Sequence, residues 1–165
     1  MKNDNKPYYS KNDLIKIMKD SAMAVNSLVS EYGQLEDYIL EPNWKRIVPI
    51  PGIFEKINFG EVSAKIQKMR DELKTYRELH EMAESIELSE LIRKYIDVFL
   101  NYTTALDKAL QCFEELTFDL YGKVKGFRYK WGEYSSKRKE YASLIKAYDE
   151  MADGMYEAYQ KAFQS

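Results

Sequence analysis

A basic and aromatic segment is the most distinctive feature of this chain. Residues 122–141, GKVKGFRYKWGEYSSKRKEY, contain seven Lys or Arg side chains, five aromatic rings and two acids. Basic side chains bind phosphates, and aromatic rings stack on unpaired nucleic-acid bases. Trp, Tyr and Arg also dominate the energetics of protein interfaces. The segment therefore predicts a binding surface, either for a protein or for an anion.

The distribution of charge helps to choose between these two partners. The chain has 25 Lys and Arg against 27 Asp and Glu, a net charge of −2, and residues 122–141 contribute 7 − 2 = +5, which leaves −7 on the other 145 residues. A protein that binds long nucleic acid usually carries net positive charge over its whole domain. The balance favours a protein partner over nucleic acid, phosphate or a lipid headgroup. The alternation of rings and charges from Phe127 to Trp131 also suits a loop that caps the end of a bundle, with its rings inward.

The residue types that usually perform catalysis or bind metal are scarce. A di-iron site of the Glu-x-x-His type needs two histidines, and His80 is the one histidine in the sequence. If the chain folds back near Ile86, His80 lies level with Ile92. Cys112 is then twenty residues further along, about 30 Å at ~1.5 Å per residue and too far for a Cys–His pair. We expect no enzyme activity, no metal and no cofactor.

Four segments repeat apolar residues at alternating spacings of four and three. The third segment, for example, contains Leu88, Ile92, Tyr95 and Phe99 in that rhythm. The 3.5-residue period is typical of helices with coiled-coil-like packing, and no stretch shows the sustained two-residue alternation of a strand. The pattern predicts an all-α fold, an antiparallel up-down-up-down four-helix bundle that forms one domain over residues 1–165.

Caps and breakers predict helices at about 11–41, 61–84, 86–121 and 133–163, with residues 1–9 as a flexible or docked N-terminal arm. Ser10 and Asp13 resemble a capping box, Pro42 ends the first helix, and Ser85 is a candidate cap for the third. Glycines at 122, 126 and 132 separate the last two helices. The rival is an elongated bundle in which helices two and three, or three and four, join into one long continuous or bent helix.

The up-down topology brings the first and third connections, residues 42–60 and 122–132, to the same end of the bundle. Both tryptophans lie in these connections. The candidate partner-binding residues are Trp44, Lys45, Arg46, Lys123, Lys125, Phe127, Arg128, Tyr129, Lys130, Trp131 and Arg138. We expect a non-enzymatic protein–protein interaction module that binds a macromolecular partner through this end. The alternative is a nucleic-acid or anion binder that uses residues 122–141.

Other polar residues fall on the buried stripes. Ser21 and His80 are predicted to form a buried, hydrogen-bonded pair between the first two helices. Arg138 lies on the stripe of the fourth helix, near enough to its start for the charge to reach water. Eight of the fourteen tyrosines also lie on stripes, and a buried hydroxyl needs a hydrogen-bond partner. Either the bundle is wide and the hydroxyls reach its edges, or some of these rings are available to a partner.

The third helix carries a second apolar line, which includes Leu91, Val98 and Ala105. This line predicts a helix buried on two sides, or else a structural homo-oligomer formed through helix three.

A single cysteine fits a reducing compartment. The N-terminal residues contain no apolar signal region, and no window approaches the ~18 apolar residues that a membrane span needs. We expect a cytoplasmic protein without a membrane span.

Overall fold

The computed structural model describes residues 9–40, 57–83, 86–125 and 131–164. Within these ranges the chain forms four helices and no strand: α1 (Lys11–Leu40), α2 (Phe59–Ala83), α3 (Glu90–Val124) and α4 (Trp131–Phe163). The backbones of α1 and α2, of α2 and α3, and of α3 and α4 approach each other closely. The predicted all-α four-helix bundle is confirmed.

Contacts between consecutive helices show that each one reverses the direction of the one before. Residues 31–38 near the end of α1 line one surface pocket together with residues 58–65 at the start of α2. The ring of Phe59 at the start of α2 lies 5.4 Å from that of Tyr121 near the end of α3. Lys137 near the start of α4 binds Asp119 near the end of α3 at 2.9 Å. Residues 86–89 are not helical. These contacts exclude the rival in which helices two and three, or three and four, form one long helix.

Side-chain caps define three of the helix starts. Ser10 Oγ accepts the Asp13 backbone N–H (3.2 Å) and the Asp13 carboxylate accepts the Ser10 N–H (3.1 Å), so the predicted capping box is confirmed. Asn58 and Ser89 accept, at 3.2 and 3.4 Å, a backbone N–H three residues further on. These two caps were not predicted. They start α2 at Phe59, where residue 61 was expected, and α3 at Glu90, where residue 86 was expected.

The break between α3 and α4 is narrower than predicted. α3 continues through Gly122 to Val124, and α4 begins at Trp131, so that Gly132 is helical. Both glycines lie in terminal turns, where fewer backbone hydrogen bonds depend on each residue and the cost of glycine is smaller than in a helix interior. Two of the three glycines therefore do not interrupt a helix.

The core is built from the apolar stripes that the sequence predicted. Leu14, Ile66, Tyr95 and Phe113, from α1, α2 and α3, are fully buried, and α4 contributes Tyr141. Arg138 is an exception, since it is exposed instead of lying on the buried face of α4. Its position in the first turns of α4 lets the guanidinium remain in water.

Tyrosine hydroxyls join α1 to α4. Tyr32 and Tyr141 are both buried, and their hydroxyl oxygens are 2.5 Å apart. The Glu36 carboxylate accepts a hydrogen bond from the Tyr141 hydroxyl. Because Tyr141 has a single hydroxyl proton, Tyr32 must then donate to Tyr141. Burial raises the pKa of Glu36, and the Tyr141 hydrogen bond partly offsets this effect.

The predicted buried polar residues, Ser21 and His80, are both buried but do not bond to each other. Ser21 Oγ donates to the carbonyl of Ile17 at 2.7 Å. His80 Nδ1 donates to the carbonyl of Tyr76 at 2.8 Å. Each side chain donates its hydrogen bond to a carbonyl of its own helix, because the carbonyl one turn earlier is always within reach.

The imidazole of His80 packs against α3. It stacks on Phe99 with 3.8 Å between ring centroids and 9° between ring planes. His80 therefore lies level with Phe99 instead of Ile92, so the α2/α3 register is seven residues from the predicted one. Cys112 is still thirteen residues further along α3, about 20 Å at ~1.5 Å per residue. The later start of α3, at Glu90, accompanies this shift.

Burial of His80 makes the stability of the fold depend on pH. Desolvation lowers the pKa of His80 to about 4, outweighing the Tyr76 hydrogen bond, and Nε2 has no partner among the described residues. The neutral form is therefore favoured in the folded state. We expect neutral His80 to contribute fully to the unfolding free energy above pH 6.5. As the pH falls toward 4, the unfolding free energy should decrease by up to about 3 kcal/mol, because the unfolded state binds the proton more readily.

The measurement is chemical denaturation of the wild type and of His80→Leu at several pH values between 7 and 4. The difference in unfolding free energy between the two proteins should shift against the wild type as pH falls. Parallel curves would contradict a buried neutral imidazole. Because the carboxylates are common to both proteins, their titration cancels in the difference.

Candidate binding groove at one end of the bundle

Most of the predicted partner-binding residues lie outside the described ranges. These are Trp44, Lys45, Arg46, Phe127, Arg128, Tyr129 and Lys130, together with the side chain of Trp131. Lys123, Lys125 and Arg138 are described and exposed. The Lys125 Nζ lies 5.7 Å from the centre of the Tyr121 ring. The helix ends that flank the two connections do meet at one end of the bundle, and a groove is present there.

The groove runs between the start of α2 and the end of α3 and has a volume of about 680 Å³. Its floor includes Ile66 and Thr117, which are buried. Phe118 and Tyr121 stand on its α3 side, 72% and 36% exposed. An exposed phenylalanine of this extent, beside an apolar floor, is typical of an interaction surface.

The α2 side of the groove carries two small residues, Gly60 and Ser63, between the Phe59 ring at its outer end and Arg70 at its inner end. A Cβ added at Gly60 would have one neighbour within 4 Å, the Asn58 side-chain oxygen at 3.6 Å, so the space above it is open. The α2 side is therefore low between Phe59 and Arg70, so the backbone of a bound segment can approach α2 closely there.

An ion-pair chain closes the inner end of the groove. Arg70 binds Asp107 at 2.9 Å and Glu114 at 3.0 Å. Arg77 binds the same Asp107 at 3.0 Å and the carbonyl of Thr103 at 3.1 Å. Burial lowers the pKa of Arg70, but its hydrogen bonds and charge contacts with the two carboxylates outweigh this and raise the pKa overall. The chain fixes α2 against α3 just where the groove ends.

Carboxylates outnumber cations where α4 borders the groove. Lys137 binds Asp119 at 2.9 Å and lies 3.9 Å from Glu115. The hydrogen bond to Asp119 is the main reason that the pKa of Lys137 is raised. One lysine thus faces two acids at this border, and the groove itself carries no surplus of positive charge.

The groove has the length of a short helix. It extends from Phe59 to Arg70 along α2 and from Tyr121 back to Gln111 along α3. At ~1.5 Å per residue these spans are about 15 Å, or roughly three helical turns.

Phe118 and Tyr121 were not among the predicted binding residues, although their positions in the sequence carry a signal. Leu116 and Leu120 continue the buried stripe of α3, and Phe118 falls between them on the opposite side of the helix. A large aromatic residue off the stripe indicates exposed apolar surface.

The predicted self-association line on helix three is only partly exposed. Leu91 is exposed, whereas Val98 and Ala105 are half-buried beside α4. Cys112, further along the same line, is buried, and burial raises the pKa of its thiol.

Among the described residues, no three His, Cys, Asp or Glu side chains come close enough together to hold a metal ion. None of the helices α1 to α4 combines the length and the apolar character that crossing a bilayer requires.

Comparisons with protein-family models, with curated proteins and with solved structures find no match to this chain.

Because Asp107 belongs to the ion-pair chain at the groove and Glu78 does not, neutralising these two carboxylates should lower the unfolding free energy by different amounts. Asp107→Asn leaves Arg70 and Arg77, both mostly buried, without their shared partner. We expect a loss of about 1–3 kcal/mol of unfolding free energy, reduced at high salt. Glu78→Gln is the matched control, because the Lys74–Glu78 pair is exposed and 3.9 Å long. That change should cost less than about 0.5 kcal/mol.

Urea denaturation of both variants at low and high salt makes the comparison. Equal losses of unfolding free energy in Asp107→Asn and Glu78→Gln would show that the ion pairs between α2 and α3 do not hold the two helices together.

Proposed function

We propose that this protein is a non-enzymatic protein-binding module, and that the groove between α2 and α3 receives an amphipathic helical segment of a partner protein. The observation that supports this most strongly is Phe118, which is 72% exposed at the edge of an apolar floor. An apolar groove of about three turns is the surface into which an amphipathic helix lays its apolar face.

The walls support a helix as the occupant. Gly60 and Ser63 leave room for a backbone, and Phe118 and Tyr121 supply the aromatic anchors that dominate binding energy at protein interfaces. The connections 42–60 and 122–132 adjoin this groove in sequence. In the proposal their tryptophans and basic residues extend the same binding surface.

Charge supports a protein partner over a nucleic acid. Glu114, Glu115 and Asp119 lie in or beside the groove and would repel phosphates. Lys137 is already engaged with two of these carboxylates. Nucleic-acid or anion binding through residues 122–141 stays the alternative, and self-association through Leu91, Val98 and Ala105 stays a third possibility. The cytoplasmic location likewise remains a prediction.

The test is a selection of random twelve-residue peptides on the wild-type protein, with affinities then measured on two variants. Phe118→Ala should weaken the selected peptides by at least about 30-fold, the ratio of a hot spot of about 2 kcal/mol. Met151→Ala is the matched control, since Met151 is another exposed apolar residue, on a different face. It should leave the affinities unchanged.

The bound peptides should show apolar residues at helical spacing, and their amide shift changes should centre on Ile66, Thr117 and Phe118. Selected peptides that bind Phe118→Ala as tightly as the wild type would refute the site. The double variant Trp44→Ala/Trp131→Ala tests whether the adjoining connections contribute affinity.

A salt titration distinguishes protein binding from the alternative of nucleic-acid or anion binding. Binding of a single-stranded oligonucleotide that falls steeply with salt, and that survives Phe118→Ala, would favour the anion-binding function. An aromatic-anchored peptide should lose little affinity over the same range of salt.

A further inference from the structure

A second groove lies in the seam between α1 and α4, away from the groove between α2 and α3. These two helices meet through long side chains instead of close backbone packing. At one end of the seam Lys19 Nζ lies 5.5 Å from the centre of the Phe163 ring. At the other end Tyr32 bonds Tyr141 and approaches the Tyr148 ring at 6.4 Å. Between these bridges the seam is open, with a volume of about 460 Å³.

The lining of this seam groove is uncharged. Its side chains come from α1, α3 and α4 and include Met23, Asn26, Met155, Tyr156 and Gln160, and none of the eleven is acidic or basic. About a third of the chain is charged, so the surrounding surface is very different. A charged ligand would lose its hydration here without gaining an opposite charge.

Exposed apolar side chains mark the mouth of the seam groove. Met23 is 60% exposed and Tyr156 66% exposed. Thioethers and aromatic rings both make favourable contacts with a flat aromatic ligand. Tyr159 behind them is held in place by edge contacts to Tyr95 and Phe163, at 5.9 and 5.2 Å between ring centroids.

The floor of the groove offers a hydrogen-bond donor. Tyr102 lines the groove and is 6% exposed. Burial raises the pKa of Tyr102 to about 12, so the hydroxyl keeps its proton at neutral pH. A ligand acceptor that takes a hydrogen bond from this sheltered hydroxyl would gain affinity.

We propose that the seam groove binds an uncharged aromatic small molecule that carries a hydrogen-bond acceptor for the Tyr102 hydroxyl. The volume is within the range of small-molecule sites, which are mostly apolar with a few placed polar groups. The lining offers no charged partner for the polar flanks of a peptide, so a small neutral ring suits this groove better than a protein segment. This site is independent of the groove between α2 and α3.

The probe for the test is 6-propionyl-2-(dimethylamino)naphthalene, a neutral fluorophore with one carbonyl acceptor. The anionic comparison is 8-anilinonaphthalene-1-sulfonate. We expect saturable one-to-one binding of the neutral probe and at least tenfold weaker binding of the anionic one. Tyr102→Phe should weaken the neutral probe about three- to tenfold and shift its emission to the blue, because the carbonyl loses its donor.

Blocking variants locate the site. Ala152→Leu places a larger side chain in the seam groove and should abolish binding of the neutral probe. Met23→Asp places a charge at an exposed position on its mouth and should weaken binding at least tenfold. Ala147→Leu is the matched control, because Ala147 lines a different groove, between α3 and α4. Circular dichroism is the check that each variant is folded. If Ala152→Leu does not fold, Met23→Asp decides the outcome.

Several results would overturn the proposal. They are an absence of saturable binding of the neutral probe, equal affinity for the two probes, and equal loss in Ala147→Leu. A dimer that is dissociated by Tyr156→Asp and excludes the probe would instead identify the seam groove as a contact between copies. Phe118→Ala should leave probe binding unchanged, so a failure here is distinct from a failure of the peptide-binding groove.

Discussion

The antiparallel register between α2 and α3 is the constraint on which the rest of this account depends. Arg70 and Arg77 share Asp107, and His80 stacks on Phe99, two turns earlier in α3. These contacts hold the start of α2 against the end of α3, where Phe59 meets Tyr121. A shift of one heptad would remove the shared carboxylate, and the groove would then lose the rings that stand over its floor.

The two seams of the bundle differ in how they are held, and this difference determines what each can do. The seam between α2 and α3 is fixed by ionic contacts and a ring stack, so its groove has rigid walls suited to a helix. The seam between α1 and α4 is bridged by large side chains at its two ends, with the Tyr32–Tyr141 hydroxyl pair at one of them. Its middle is open and uncharged. Under the two proposals, a small molecule and a protein segment would bind at separate places on one bundle.

The sequence predicted the features that depend on periodicity. The 3.5-residue spacing identified the four helices, the buried stripes and the three reversals, and the capping box at Ser10 located the start of α1. The α2/α3 register was wrong by seven residues, because heptad stripes remain in phase after a shift of one heptad. The pattern alone cannot distinguish such registers. The ion pairs of Asp107 and the cap at Ser89 accompany the observed choice, and neither stands out in the sequence.

The two connections led the sequence prediction to one end of the bundle, and the proposed groove lies at that end. Its described rings, Phe118 and Tyr121, belong to α3 outside the basic segment and were not predicted. The predicted bond between Ser21 and His80 failed for a local reason, since each side chain found a carbonyl on its own helix. Spacing placed Arg138 on the stripe of α4 with its charge reaching water, and the residue is exposed, as a charge near a helix start remains in water at low cost.

The most direct test of the register is a pair of electron spin–spin distances, measured in a Cys112→Ala background. Spin labels at residues 63 and 115 are compared with labels at 63 and 108. In the observed register residue 63 is level with 117, so at ~1.5 Å per residue the axial offsets are about 3 Å and about 14 Å. The account predicts the shorter distance for 63 and 115. A shorter distance for 63 and 108 would mean that α2 pairs one heptad away, and that the groove between α2 and α3 does not form.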